Sequence, residues 1–390
     1  MRSAPAHVLI IGGGGTGGAL AHDLALRGLA VTLVERGEIT SGTTGRHHGL
    51  LHSGARYAVN DQESAIECIE ENRILRRICP GSFEENDGLF VAVTDEDMDY
   101  LEPFLKGCAE CGIPTQVLSP AEALALEPNL NPAVKAAVRV PDATMDAMRM
   151  PLRFFATAKH HGARILPFTE VLDLLVHDRV VSGALVRDHV TGAEREIHAD
   201  VTVNATGPWS EKIARMAGVD VPIRPSPGVL LALRGRLCNM VLNRLHRSGD
   251  GDIIVPQRGL SVVGTSSWTV DDPDDLGVPE DHVRKMYEEG AKLVPAVAHA
   301  EQRAAWSAAR PLIGSRGEAE TGRELSRTFK TFDHATSDGV EGFVTITGGK
   351  GTTLRGMAEL CANVVCGKLG IEAECRTRET VLLPHTAYYA

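Results

Sequence analysis

Three short apolar runs, each followed by a glycine-rich turn and a helix-forming stretch, organise the chain. In the first, residues 7–11 are apolar enough for a strand that is buried on both faces. The glycine-rich segment 12–17 comes next, then a helical stretch over 18–27 and a second apolar run, 29–34, that ends in Glu35. This order predicts a strand, a tight turn, a helix and a second parallel strand, which is a βαβ unit.

The other two runs lie far along the chain. Residues 201–204 precede a turn at 205–210, and residues 343–346 precede a turn at 347–351 that opens a helix. These three strand–turn–helix connections can meet at one ligand only if the domain that binds it is assembled from segments that lie far apart in the sequence. We therefore predict an α/β fold, with a Rossmann-like nucleotide-binding domain and a β-rich, antiparallel substrate domain that meet at the active site. The first comprises residues 1–81, 146–215 and 321–390, and the second comprises residues 82–145 and 216–320.

Between the joints, the spacing of apolar residues alternates between helical and extended. Helices are predicted over residues 61–79, 96–111, 120–126, 150–161, 282–293 and 354–369. Alternation over 164–203 predicts a β-meander, and residues 223–268 also read as strands. The acidic run Asp271–Asp275 is expected to be a solvated loop.

Composition and charge narrow the class of protein. The 390 residues carry 40 Lys and Arg against 51 Asp and Glu, and the net charge of −11 argues against a nucleic-acid partner. With 43% hydrophobic and 23% charged residues, the chain is globular rather than disordered. No apolar run reaches 18 residues, so no transmembrane helix is predicted, and only peripheral contact with the inner face of a membrane stays open. Dispersed cysteines and the absence of an apolar leader before residue 7 indicate the cytoplasm.

The first glycine turn fits a dinucleotide-binding fingerprint, with Gly12, Gly14, Gly17 and the acid Glu35 at the required spacing. Gly12 permits the tight turn, Gly14 admits a pyrophosphate close to the backbone, and Gly17 lets the helix press on the strand. The helix N-terminus offers N–H donors to phosphates. Glu35 can accept the ribose hydroxyls and would repel a 2′-phosphate, which argues against NADP.

The fingerprint alone does not separate NAD from FAD, and two features favour FAD. The chain has a single fingerprint, whereas a flavin reductase that exchanges hydride with a nicotinamide would need a second. The turn Thr347–Gly351 also places Lys350 before a helix, an arrangement that suits the negative charge of a reduced flavin. An NAD-dependent dehydrogenase stays a distant alternative.

A loop over residues 41–57 is too rich in Gly, Thr and His to be a regular element. Its hydroxyls and backbone amides are expected to line the cofactor, and either His47 or His48 could face the flavin or be a packed histidine. His48 and His52 have the spacing of a zinc pair on a helix. Gly45, Gly49 and Gly54 argue against a helix, and no acid lies between the histidines, so no metal site is predicted.

These segments resemble the flavin-dependent glycerol-3-phosphate dehydrogenases of the D-amino-acid-oxidase-like superfamily. The loop Thr44-Gly-Arg-x-His-Gly-Leu-Leu-His-Ser-Gly-Ala-Arg-Tyr57 is more specific than the glycine fingerprint, and it is similar to the catalytic A subunit of the anaerobic bacterial enzyme. Further matching segments are Ile10–Gly17, Asn204-Ala-x-Gly207, Val255-Pro256, Gly264-Thr265, Ala309-Arg-Pro-Leu312 and Ile346-Thr-Gly-Gly-Lys350. The similarity extends over about residues 7–372.

The resemblance implies FAD and the oxidation of sn-glycerol 3-phosphate to dihydroxyacetone phosphate, by transfer of the C2 hydride to flavin N5. Electrons would pass toward quinone or an electron-transfer partner subunit. The substrate would be surrounded by Arg56, Tyr57, Arg310, Arg327 and Lys350, because a phosphate dianion needs cations where water is scarce. Motifs and resemblance together assign the cofactor contacts to Gly12, Gly14, Thr16, Gly17, Glu35, Arg36, Thr43, Thr44, Arg46, His48, Gly49, Leu50, Val171, Ala205, Thr206, Gly207, Trp209, Gly348, Gly349, Lys350, Gly351 and Thr352.

Two departures from the family pattern leave parts of the reaction open. The aerobic type has a histidine on the strand that matches residues 228–231, and this chain has none, so the catalytic candidates are Lys350, Arg310, His48 and His52. The chain also ends before the cysteine-rich extension expected of the anaerobic protein, which leaves the electron acceptor open. The alternatives are another polyol phosphate or a 2-hydroxy acid such as L-2-hydroxyglutarate as the substrate, or a non-catalytic FAD-binding subunit.

Overall fold

The computed structural model describes residues 5–314 and 328–390. The strands in these ranges are β1 (His7–Ile11), β2 (Ala30–Val34), β3 (Leu50–Leu51), β4 (Phe83–Glu84), β5 (Gly88–Ala92), β6 (Gln116–Leu118), β7 (Ala136–Val140), β8 (Ala143–Met145), β9 (Arg164–Leu166), β10 (Thr169–His177), β11 (Val180–Asp188), β12 (Glu194–His198), β13 (Val201–Asn204), β14 (Ile223–Arg234), β15 (Val241–Arg244), β16 (Ile253–Gln257), β17 (Leu260–Gly264), β18 (Gln302–Ile313), β19 (Phe329–Asp333) and β20 (Phe343–Gly348). The helices are α1 (Gly15–Leu26), α2 (Gln62–Ile78), α3 (Asp95–Asp99), α4 (Leu101–Glu110), α5 (Pro120–Leu126), α6 (Arg149–His160), α7 (Ser210–Met216), α8 (Glu280–Leu293), α9 (His334–Asp338) and α10 (Leu354–Lys368).

A six-stranded sheet, in the order β19-β20-β13-β1-β2-β9, carries the three glycine joints. Its pairs are parallel except for the edge pair β19–β20. Val8 of β1 lies opposite Val201 of β13, and Ile11 lies opposite Val34 of β2. Because parallel strands present their carboxyl ends at one edge, the turns after β1, β13 and β20 meet there. The predicted α/β fold with a Rossmann-like sheet is confirmed.

An eight-stranded sheet, in the order β18-β14-β17-β16-β15-β5-β7-β6, faces this edge. It is antiparallel except for the pair β15–β5. Its longest ladder joins β14 to β18 and runs from Ile223 opposite Ile313 to Leu233 opposite Gln302. The sheet draws its strands from both segments assigned to the substrate domain, and the domain boundaries themselves stay a prediction.

The first joint requires glycine for steric reasons. Gly12 has φ of +113°, and a Cβ there would lie 2.6 Å from the carbonyl oxygen of Ala205, in the joint after β13. A Cβ on Gly17 would lie 2.0 Å from the carbonyl oxygen of Gly12, so α1 could not approach β1 as closely. These contacts show that the glycines bring β1, α1 and β13 together.

A buried ion pair fixes α2 against α10. The Arg355 guanidinium, 1% exposed, donates from Nε to Glu71 Oε2 at 2.8 Å and from Nη1 to Glu359 Oε2 at 2.6 Å. Losing one partner of such a pair costs about 3–5 kcal/mol, because a buried charge is left uncompensated. The pair therefore anchors α2 beside the glycine turn that precedes α10.

The structure corrects several sequence predictions of secondary structure. The helix predicted over 96–111 is two helices, α3 and α4, because a capping box at Thr94 starts a short helix that ends at Asp99. The predicted meander is β10–β12 alone, since β9 and β13 belong to the parallel sheet. The strand β18, which carries the Ala309–Leu312 motif, has no clear alternation and was not predicted.

Three general features concern partners and ligands. None of the helices in the described ranges combines the length and the apolar character that a bilayer span needs. The described residues contain no group of three or more His, Cys, Asp or Glu side chains placed to hold a metal ion. All eight cysteines are free thiols.

Candidate active site

A cavity of about 950 Å³ lies between the two large sheets. All three glycine joints, the 41–57 loop and strands β14 and β18 contribute to its walls. The predicted site residues that line it are Gly12, Gly14, Thr16, Glu35, Arg36, Thr43, Thr44, Arg46, His48, Leu50, His52, Arg56, Tyr57, Val171, Ala205, Thr206, Gly207, Trp209, Arg310, Gly348, Gly349, Lys350 and Gly351. The cavity thus collects side chains from the whole length of the chain.

Four predicted residues are placed otherwise. Gly17 lies behind the first turn, against Gly12. Gly49 is a backbone link, since its carbonyl accepts from Met145 N–H at 2.7 Å. Thr352 Oγ1 accepts from the backbone N–H of His52 at 3.0 Å and joins the loop to the last turn. Arg327 lies outside the described residues.

One end of the cavity, here called the glycine end, is formed by Gly12, Gly14 and Glu35. Glu35 Oε2 accepts from Gly13 N–H at 2.7 Å, and its Oε1 accepts from Gly37 N–H at 2.9 Å. The carboxylate is therefore held at the end of β2 with lone pairs left for hydroxyl donors. Near Gly14, the first neighbour that a Cβ would meet is Thr44 Oγ1, at 3.1 Å, so the turn offers a bare backbone surface to phosphates.

The 41–57 loop is tied to both sheets. Thr44 Oγ1 accepts from Gly15 N–H at 2.9 Å, and Thr43 Oγ1 donates to the carbonyl of Ala309 on β18 at 2.7 Å. The loop forms short 3₁₀ turns over Thr43–Arg46 and Ala55–Tyr57, with β3 between them. It therefore bridges the start of α1 and strand β18.

The opposite end, here called the cation end, contains Arg56, Arg310 and Lys350. Arg56 Nη2 donates to Asp252 Oδ1 at 2.6 Å, and both side chains are buried, at 9% and 1% exposed. Burial alone would raise the pKa of the Asp252 carboxyl, but Arg56 and the hydrogen bonds from His246 and Gly249 hold that pKa below its usual value. Asp252 is thus an ionised anchor for Arg56 that the sequence did not predict.

Arg310 is held by hydroxyls and a carbonyl. Its Nη2 donates to Thr265 Oγ1 at 2.8 Å and to the carbonyl of Ser266 at 2.6 Å. Its Nη1 donates to Ser267 Oγ at 3.0 Å and to Ser226 Oγ at 3.2 Å. These partners were not predicted, because they lie on β14 and in the segment after β17 and meet Arg310 only through the sheet register.

Lys350 lies across the ring of Tyr57, with Nζ 5.1 Å from the ring centroid. Its side chain is 8% exposed, and Nζ is 3.8 Å from Glu67 Oε2 on α2. The Tyr57 ring is in turn 5.6 Å from the ring of His52, centroid to centroid. Lysine, tyrosine and histidine therefore form one contiguous wall of the cation end.

Three histidines of the loop are kept neutral. Burial lowers the pKa of His47 to about 4, and burial with nearby His47, Arg56 and Arg310 lowers the pKa of His48 to about 3. Burial, with nearby His48, Arg56 and Lys350, also moves the pKa of His52 well below its usual value. Burial thus keeps each ring unprotonated at neutral pH, with one nitrogen able to accept a proton, and at the same time makes the ring a weaker base.

The hydrogen bonds distinguish these histidines from one another. His47 Nδ1 accepts from Gly49 N–H at 2.9 Å, and His48 Nδ1 accepts from Leu50 N–H at 3.2 Å. With Nδ1 occupied as an acceptor, the proton of each neutral ring lies on Nε2, which makes that nitrogen a donor. No backbone N–H fixes His52 in this way among the described contacts, so its ring has an acceptor nitrogen available.

Beside the glycine end, the acidic run Asp271–Asp275, here called the acidic strap, is fixed to the Rossmann-like sheet. Arg36 Nη2 and Trp209 Nε1 donate to Asp274 Oδ1 at 2.5 and 2.8 Å. Lys212 Nζ donates to Asp272 at 2.8 Å and to Asp274 at 2.9 Å. The prediction of a solvated loop is confirmed, since the four acids are exposed, and the structure adds that Asp272 and Asp274 pair with cations from distant segments.

Comparison with known proteins places this site in a family. The sequence profile described as FAD dependent oxidoreductase matches residues 7–355. The chain is 46% identical to the A1 subunit of the anaerobic glycerol-3-phosphate dehydrogenase of Haloferax volcanii, over 98% of this chain and 67% of that protein. It is 44% identical to the corresponding A subunit of Escherichia coli, over 97% of this chain and 70% of that protein. The chain belongs to the FAD-dependent oxidoreductases, in the family of the anaerobic glycerol-3-phosphate dehydrogenase A subunits.

The family resemblance seen in the sequence is thereby confirmed, and FAD is the cofactor of this FAD-dependent oxidoreductase. Among solved structures, the L-alpha-glycerophosphate oxidase of Mycoplasma pneumoniae with FAD bound superposes with a TM-score of 0.74. The match covers 96% of this chain and 97% of that chain at 19% identity, and at that identity it supports the fold. The bare backbone at Gly14 and the carboxylate of Glu35 fit the pyrophosphate and ribose of FAD.

Proposed function

We propose that this flavoenzyme oxidises sn-glycerol 3-phosphate to dihydroxyacetone phosphate. The observation that carries the proposal is the convergence of Arg56, Arg310 and Lys350 at one end of a cavity whose other end has a dinucleotide fingerprint. A phosphate dianion that leaves water needs such cations, and arginine offers it a bidentate fork. The activity for which the relatives in Haloferax volcanii and Escherichia coli are named agrees with this substrate.

The cofactor is bound by the three glycine joints and the 41–57 loop. Glu35 accepts the ribose hydroxyls, and the backbone at Gly12 and Gly14 receives the pyrophosphate. The turn at Gly348–Gly351 opens α10, whose N-terminus favours negative charge nearby. Bound FAD supplies the acceptor for the hydride that leaves C2 of the substrate.

His52 is the base that removes the proton of the C2 hydroxyl. Its neutral ring has an acceptor nitrogen, while the Nδ1 hydrogen bonds of His47 and His48 make their Nε2 atoms donors. Lys350 and Arg310 bind the phosphate, and His48 donates a hydrogen bond to a substrate oxygen. This division of roles is preferred to Lys350 as the base, since an ammonium beside Glu67 has no acceptor lone pair.

Electrons leave toward a quinone or a partner subunit. The relatives are named as the A and A1 subunits of their enzymes, which is consistent with partner chains. The protein acts in the cytoplasm, with peripheral docking at the inner face of the membrane as the way to reach a quinone.

The test is anaerobic mixing of the FAD-loaded protein with glycerol 3-phosphate, followed at the absorbance band of oxidised flavin. Loss of the band supports the proposal. Reduction by L-2-hydroxyglutarate but not by glycerol 3-phosphate would assign the site to a 2-hydroxy acid, whose carboxylate also suits Arg56 and Arg310. A band that neither compound bleaches would indicate a non-catalytic FAD-binding subunit.

A further inference from the structure

A carboxylate on α2 approaches Lys350 from outside the cavity. Glu67 Oε2 lies 3.8 Å from Lys350 Nζ, and the Glu67 side chain is 22% exposed whereas that of Lys350 is 8% exposed. Lys350 lines the cavity, and Glu67 is outside the set of side chains that do so. The ammonium therefore lies between the cavity and a carboxylate behind it.

Two of its contacts constrain where this ammonium lies. The Tyr57 ring supports it from one side, with a distance of 5.1 Å from Nζ to the centroid, and Glu67 attracts it from the other. Lysine has a long, flexible stem, and fixing one rotamer before the ligand arrives removes an entropic cost from binding. A held ammonium is thus better prepared for a phosphate than a freely rotating one.

The neighbours of Glu67 make its charge sensitive to pH. Burial raises the pKa of the Glu67 carboxyl to about 7, and Lys350, in the turn before α10, opposes that rise. On α2 and at its N-cap, the acids Asp61, Glu63 and Glu71 add to the rise by repulsion. Glu71 is itself paired with Arg355 of α10, which limits its contribution.

We propose that Glu67 is a positioning residue, which holds the Lys350 ammonium at the cation end in the orientation that receives the phosphate group of the substrate. This inference rests on the proposed function. Glu67 touches no reacting atom, so it acts on substrate affinity and leaves the chemical step unchanged.

The direction in which substrate affinity changes with pH follows from the ionisation of Glu67 beside Lys350. Above pH 7 the carboxylate is ionised and holds Lys350, and below pH 7 it is protonated and the attraction is lost. Repulsion between Glu67 and the bound phosphate acts over a longer distance, with the ammonium between them, so the loss of positioning dominates. Affinity for the substrate should therefore fall as the pH drops through about 7.

The test compares Glu67→Gln with Glu63→Gln, an exposed acid in the first turn of the same helix, and with Glu67→Asp as a conservative rescue. Stopped-flow flavin reduction by glycerol 3-phosphate, from pH 6 to 8.5, gives the substrate Kd and the limiting rate for each FAD-loaded variant. Ionisation of the substrate phosphate is common to all variants, so the ratio of each Kd to that of the wild type isolates the contribution of Glu67.

For Glu67→Gln we expect a Kd that is about three- to tenfold higher at pH 8 and equal to the wild type near pH 6, with an unchanged limiting rate. Glu63→Gln should keep the wild-type Kd at pH 8 and move the midpoint of the pH dependence slightly lower, because it removes one of the repulsions that raise the pKa of Glu67. Glu67→Asp should recover part of the affinity. If the Kd of Glu67→Gln equals that of the wild type at every pH, the inference is overturned. It is also overturned if the limiting rate and the FAD content of this variant fall by the same factor. If the wild type is not reduced, the proposed function fails instead, and Kd values for inorganic phosphate, read from the shift of the oxidised flavin band, still test Glu67.

Discussion

The two ends of the cavity use charge in different ways. Beside the glycine end, Arg36 and Asp274 pair at 46% and 40% exposure, where water screens the attraction. At the cation end, Arg56 and Asp252 pair at 9% and 1% exposure. Exposed pairs contribute about 0–1 kcal/mol, whereas breaking a buried pair costs about 3–5 kcal/mol. The difference indicates that the glycine end relies on backbone shape, and the cation end on a few buried charged side chains.

The largest expected effect is at the proposed base. His52→Asn should slow the limiting rate of flavin reduction by about 10²–10⁴-fold, the usual contribution of a general base, while FAD stays bound. Anaerobic stopped-flow absorbance measures the rate, and the visible spectrum measures the FAD content. An exposed histidine, His160→Asn, serves as the matched control.

The pH profile separates His52 from Lys350 as the base. Burial holds the pKa of His52 well below its usual value, so its ring is already neutral and the limiting rate should stay level from pH 8 down to 6. A base that is protonated at neutral pH would instead give a limiting rate that rises about tenfold per pH unit over this range. A rising profile would remove His52 from this role.

The next effect concerns phosphate recognition. Arg310→Lys keeps the charge but loses the fork that Thr265 and the Ser266 carbonyl orient, so the substrate Kd should increase about a hundredfold. Arg303→Lys, on the same strand but exposed and paired with Glu301, should leave the Kd unchanged. A normal Kd in Arg310→Lys would show that the phosphate binds elsewhere.

At the glycine end, Glu35→Ala should weaken FAD binding by about tenfold, because the ribose hydroxyls and two backbone N–H groups lose their acceptor. Titration of the apoprotein with FAD, followed by flavin fluorescence, gives the Kd. The exposed neighbour Glu38→Ala is the control. Catalysis by the FAD-saturated variant should be nearly normal, in contrast to the cation-end variants.

The smallest effect is expected at the acidic strap. Asp274→Asn should raise the rate of FAD release by roughly two- to fourfold at low salt and by less at high salt, since the pair with Arg36 is exposed. Release is measured by trapping free FAD with an excess of a FAD-binding apoprotein. Asp275→Asn, which forms no ion pair among the described contacts, should behave as the wild type. Equal rates for both variants would show that the pairs of Asp274 do not slow FAD release.

The glycine end could be predicted from sequence and much of the cation end could not. Gly12 and Gly17 are required locally, because any residue with a Cβ at these positions would clash with a backbone carbonyl. Arg56 instead depends on Asp252, which lies 196 positions away. Local sequence patterns around Arg56 cannot predict that pairing. The ion pairs of the strap were not predicted for the same reason, because the sequence around its acids gives no sign of the distant cations that bind Asp272 and Asp274.

The arrangement of strands in the Rossmann-like sheet also determines when the molecule can acquire its cofactor. The central strand β1 is synthesised first, yet its neighbour β13 and the next strand, β20, follow only at Val201 and Phe343. On the ribosome, the nascent chain therefore contains the glycine fingerprint long before β13 is available to pair with β1. Contacts between residues so far apart in the chain form slowly. We therefore expect FAD to be captured late in biosynthesis, and fragments truncated before β20 should be recognised by chaperones as incompletely folded.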